Sequence, residues 1–140
     1  MSAFPDPSPE ITTILVVADI DRARDFYRDV LGAEVYRAYG GSSCVLRFAR
    51  TWLLLVTGGP PTADKPTVTF AAPVDPDHVD HAFTIRVADC QATYETLRTR
   101  GAAFLTPPVA SRWELRAFFR DPDGHLLEIS EAKVPPVDDP

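Results

Sequence analysis

Residues 118–130 read FFRDPDGHLLEIS, and the fold turns on this stretch. An apolar strand runs into Asp121-Pro122-Asp123-Gly124. Pro122 presets φ for the first central turn position, the two aspartates can bond their own backbone, and Gly124 tolerates positive φ. A hairpin follows. Along its return strand the side chains alternate, so Leu126, Glu128 and Ser130 share one face while His125, Leu127 and Ile129 share the other. Glu128 is then a carboxylate in mid-strand. It is either a buried functional group or a solvent-side residue of a half-covered antiparallel sheet.

Upstream of the hairpin the pattern predicts a strand over 82–87, Asp89 as helix cap, a helix over 91–100 stopped by Gly101, a strand over 103–106, a loop through Arg112 and a strand over 114–120. The same order occurs earlier in the chain. ITTILVVA at 11–18 is a β-branched run suited to a strand with both faces covered. Asp19 caps a helix with apolar Ile20, Ala23, Phe26, Tyr27, Val30 and Leu31 at helical spacing, and Gly32 ends it. Strands over 33–39, 43–49 and 51–57 follow, with Gly40-Gly41 as a turn.

These are two copies of one unit. Val17-Ala18-Asp19 reappears 70 residues on as Val87-Ala88-Asp89, and Gly32-Ala33 reappears 69 residues on as Gly101-Ala102. The expected architecture is α+β: two βαβββ modules, 10–58 and 79–132, pairing into a curved, partly closed mixed sheet with helices outside and a cavity inside. Residues 59–78, rich in Pro and Gly, read as a linker holding a short β-like piece at 67–71. Residues 1–9 read as a disordered arm and 133–140 as a tail.

The 140 residues suit one structural domain, and the composition is that of an ordinary globular protein. A net charge of −6 argues against a nucleic-acid partner. No apolar run reaches the about 18 residues of a membrane span, and the N-terminus lacks signal-peptide regions, so a cytoplasmic protein is expected. Cys44 and Cys90 form no CxxC and read as free thiols.

The aromatic strand, DPDG turn and LLE strand resemble the C-terminal hairpin of the vicinal oxygen chelate superfamily of glyoxalases, ring-cleaving dioxygenases, fosfomycin-resistance enzymes and bleomycin-binding proteins. VVADIDRARDFYRDVLGAEV and VADCQATYETLRTRGAAF are similar to its first and second strand–helix segments. The resemblance covers nearly all of 11–131 and implies the fold above, a homodimer, and Glu128 as the counterpart of the last metal ligand in the family's metal enzymes. The family's strand histidine, seven residues before each capping aspartate, falls on Thr12 and Ala82, and its other carboxylate falls near Leu55. None of these three suits a divalent metal. His81 is one residue out of register, on the opposite face unless a bulge turns it.

The expected site therefore centres on Glu128 without a catalytic metal. Thr12, Ile14, Val16, Thr84 and Arg86 follow on the cavity face by alternation, and Arg86 is the expected ion-pair partner of Glu128. Trp52 and Trp113 are candidates for stacking on a flat ligand, with Arg116 and Phe118 beside them. The resulting expectation is a protein that sequesters a small aromatic or cationic organic molecule with no cofactor, Glu128 being also a candidate general base. The alternative is a lyase, isomerase or dioxygenase using Fe, Mn, Ni or Zn on Glu128 with His81 or His78.

Overall fold

The computed structural model describes residues 4–5 and 10–133; the expected arm lies mostly, and the tail almost wholly, outside them. The chain divides between Ala72 and Pro73 into two compact units. The first contains β1 (Thr12–Val17), α1 (Ile20–Asp29), β2 (Glu34–Tyr39), β3 (Ser43–Phe48) and β4 (Thr51–Thr57). Its sheet has the order β1-β4-β3-β2, with β1 and β4 parallel and the other pairs antiparallel. The second contains β5 (Phe83–Arg86), α2 (Cys90–Thr99), β6 (Ala103–Phe104), β7 (Val109–Ala110), β8 (Glu114–Arg120) and β9 (Leu126–Ala132). Its order is β5-β9-β8-β6, with β5 and β9 parallel. The two topologies are the same. They make the chain an α+β repeat of two mixed sheets, each carrying one helix.

Both helices start where the caps were expected. The Asp19 carboxylate accepts from the Arg22 amide at 3.1 Å, and the Asp89 carboxylate from the Ala92 amide at 2.9 Å. α2 has a second anchor, because the Cys90 amide donates to the Glu131 carboxylate of β9 at 2.8 Å. Ile20, Ala23 and Tyr27 bury the inner stripe of α1 against the sheet side formed by Leu15, Val17, Cys44, Leu46, Leu53 and Leu55. In the second unit Tyr94 and Leu97 of α2 cover Ala117, Phe119, Leu127 and Ile129, and the Phe104 ring lies 4.7 Å from Tyr94 and 4.9 Å from Phe119.

The hairpin turn is built as its residues dictate. Asp121 Oδ1 accepts from the amides of Asp123 and His125, and Gly124 sits at φ +92°. Pairing then sets Phe118 opposite Glu128 and Arg116 opposite Ser130.

Two expectations need correction. Residues 67–71 form no strand: only Phe70 bridges, exchanging two backbone hydrogen bonds with Gly59 at 2.9 and 3.0 Å. The segment before Arg112, expected as loop, contains β7, which pairs with β8 as β6 does but two residues out of step. Four residues, 105–108, stand against two, 117–118, which makes the step, and Pro107 and Pro108 within them have no N–H to give to the ladder; β6 and β7 are one edge strand interrupted there.

Candidate functional site

β5, β9 and β8 place a polar row on the face of the second sheet turned away from α2. Thr84 and Glu128 are Cα partners, Phe118 is opposite Glu128, and the next row holds Arg86, Ser130 and Arg116. Glu128 is buried there. One of its oxygens accepts from the Thr84 hydroxyl at 2.5 Å, and the other lies 3.6 Å from Arg116 Nη1. The Arg116 guanidinium also sits 5.5 Å from the Phe118 ring centroid.

The expected ion pair of Glu128 with Arg86 is not the one that forms. Register puts Arg86 opposite Ser130, and its Nη1 donates to the Ser130 hydroxyl at 3.1 Å. Ser130, fully buried, donates in turn to Glu114. Two short chains of polar contacts thus run side by side, Thr84–Glu128–Arg116 and Arg86–Ser130–Glu114, with both arginines exposed at their outer ends. Each buried oxygen has its partner inside the unit, which is what makes a carboxylate tolerable there. Glu114 and Ser130 carried no sequence signal as site residues beyond Ser130 sharing the face of Glu128.

His81 lies elsewhere. Its Nδ1 is 2.9 Å from Asp80, and its ring faces that of His125 at 6.1 Å. His125 shares the Leu127–Ile129 side of the hairpin, opposite Glu128. His78 pairs with Asp75 at 2.7 Å and is exposed. The resemblance implies a metal ligand at Glu128, so the donor set around it decides the matter of fit. Its strand neighbours are Thr84, Phe118, Leu126 and Ser130, and its second oxygen faces a cation. Among the described residues no three or more His, Cys, Asp or Glu side chains group closely enough to hold a metal ion. Within the second unit, no His, Cys, Asp or Glu stands directly beside Glu128 in the paired strands.

In the first unit the corresponding face carries Thr12, Trp52, Arg47 and Glu34 in one row and Ile14, Leu54, Val45 and Arg37 in the next. Trp52 is half-buried, its indole N–H donating to Glu10 at 2.6 Å. Thr84 lies 70 positions after Ile14, and Ile14 pairs with Leu54 as Thr84 pairs with Glu128. The first-unit counterpart of Glu128 is therefore Leu54, not Leu55. Leu55 is fully buried on the α1 side. Trp113 is 56% exposed, with the Arg112 guanidinium 4.7 Å from its ring. A cleft of about 240 Å³ at the start of α1, lined by Asp19, Asp21 and Thr57 among others, involves none of the expected site residues.

Comparison with known proteins agrees with this architecture. The chain is 31% identical over 126 residues to a lactoylglutathione lyase of Haemophilus influenzae, covering 86% of this chain and 90% of that one. A glyoxalase/bleomycin resistance protein/dioxygenase from Nocardioides superposes with a TM-score of 0.74 at 18% identity, over 96% of this chain and 90% of that one. A fosfomycin resistance protein of Listeria monocytogenes shares the fold at a TM-score of 0.67 and 14% identity, over 91% and 95% of the two chains. A family profile matches residues 11–129, and with it the chain belongs to the Glyoxalase/Bleomycin resistance protein/Dioxygenase superfamily.

Proposed function

We propose that the protein binds a small aromatic or cationic organic molecule without a catalytic metal. On the second unit Glu128, Thr84, Arg86 and Arg116 offer the polar contacts, with Phe118 and Trp113 as aromatic ones; the first unit's own face offers Thr12 and Trp52. The observation that carries the reading is the engagement of Glu128: its oxygens are taken up by Thr84 and Arg116. A carboxylate held this way orients a polar ligand group rather than a metal. The protein acts as a cytoplasmic homodimer in this reading, and a monomeric mass by light scattering would remove the dimer.

Identity of 31% to a lactoylglutathione lyase favours a second reading, a divalent-metal lyase centred on Glu128. Metal content separates the two. Protein produced with added Fe, Mn, Ni and Zn is expected to carry far less than one metal per chain by mass spectrometry. Near-stoichiometric metal, lost in Glu128→Gln, would overturn the metal-free reading.

A further inference from the structure

β3 and β4 set Arg47 and Trp52 as Cα partners on the face of the first sheet turned away from α1. The Arg47 guanidinium carbon lies 4.4 Å from the Trp52 ring centroid. Tyr36 is the extra residue of the bulge between Val35 and Arg37, and its ring meets the same indole edge-on at 5.1 Å. Glu10 holds the indole N–H at 2.6 Å, and that same oxygen stands 4.0 Å from Arg47 Nη1. This distance is too long for a hydrogen bond. Arg47 Nη1 is buried and has no hydrogen-bond partner. A guanidinium N–H withdrawn from water without an acceptor costs free energy, and the side chain as a whole is 33% exposed, so the remainder of the guanidinium is open to an oxyanion.

The neighbouring row supplies the rest of a site. Ile14, Leu54 and Val45 form an apolar strip one row in from Arg47, and Arg37 ends that row with a second positive charge. Trp52 already has a cation on its face, so a cationic ligand group would meet repulsion there. An anion would meet the open part of a prepositioned fork, beside the carboxylates of Glu10 and of Glu34, the Cα partner of Arg47.

We propose that Arg47, held by Trp52, recognises the carboxylate of a flat aromatic acid whose ring lies across Ile14, Leu54 and Val45. The inference rests on the small-molecule reading above and narrows its aromatic or cationic ligand to an aromatic acid. Isothermal titration calorimetry with naphthalene-2-carboxylate, its carboxamide and 2-naphthylmethylammonium tests it. The carboxylate is expected to bind about tenfold or more tighter than the carboxamide, the worth of one charge-assisted hydrogen bond. Arg47→Gln erases that preference, and Arg47→Lys, which keeps the charge without the fork, retains part of it. The Lys variant keeps the test decisive if the Gln variant fails to fold. If a probe binds but the carboxamide or ammonium matches the carboxylate, or Arg47→Gln leaves the preference unchanged, the Arg47 inference falls and the small-molecule reading stands. Absence of binding by all three probes overturns the inference and the aromatic reading with it.

Discussion

Leu54 stands in the first unit where Glu128 stands in the second. Each is the parallel-strand partner of the residue at the matching repeat position, Ile14 for Leu54 and Thr84 for Glu128. One repeat thus presents an apolar pair where the other presents a hydrogen-bonded polar pair. Replacing Glu128 by the residue its own counterpart uses is a direct test of its role. Its partners Thr84 and Arg116 are both exposed and can turn to water, so Glu128→Leu is expected to change stability by less than about 1 kcal/mol. Binding of polar ligands should fall. Chemical denaturation and probe titration on the same variant check both halves.

Ser130 is the node that joins Arg86 to Glu114, and it is fully buried. Ser130→Ala leaves Glu114 without that donor and should cost about 1–3 kcal/mol. The urea midpoint should drop with an unchanged slope.

Asp19 and Asp89 each accept a backbone N–H in the first turn of a helix. Alanine at either position should cost about 1 kcal/mol. Glu131 also holds the α2 start through the Cys90 amide. The Asp89→Ala, Glu131→Ala double variant should therefore lose more than the sum of its parts, readable in a double-mutant cycle.

Gly58 lies against the backbone of the 59–70 bridge. A Cβ there would stand 2.6 Å from the Phe70 carbonyl oxygen, and a backbone atom cannot swing aside. Gly58→Ala should destabilise by about 1–3 kcal/mol, as other overpacked sites do. Thermal unfolding would show it.

Burial pushes the thiols of Cys44 and Cys90 above their ordinary value of 9.0, and for Cys90 the nearby carboxylates of Glu131, Asp89 and Glu128 add to the shift. In the unfolded chain these thiols release their protons first. Above pH 9 the unfolded state then binds fewer protons than the native one, so stability falls as pH rises. Below the ordinary thiol range the two groups leave stability flat. Urea midpoints from pH 7 to 10 should decline more steeply in the wild type than in a Cys44→Ala, Cys90→Ala variant. Alkylation of the native thiols at pH 8 should be slow compared with a free thiol.

The helix caps and the hairpin were legible because their signals are local: Asp19, Asp89, Gly124 and the alternation around Glu128 all act within a few residues. Alternation also placed Thr84 on the face of Glu128. It could not say which arginine pairs with that carboxylate. Thr84 and Glu128 are separated by 44 residues, and only strand register places Arg86 one row beyond Glu128 and beside Ser130. Leu54 and Leu55 differ by one position, which in a strand exchanges faces. Arg47 stood in a plain alternating strand, SCVLRF, and its neighbours Trp52, Glu10 and Tyr36 are brought to it by pairing and a bulge. The β7 segment was hidden by the prolines that break it.

Those two prolines also bear on what the open edge of the sheet can pair with. β6 and β7 form the outer edge of their sheet, with Leu105 and Val109 exposed along it. An unbroken edge of that composition is a template for strand addition by other chains, and Pro107 and Pro108 remove the donors such a template needs. The kink that obscures the strand in the sequence is thus also what blunts its edge.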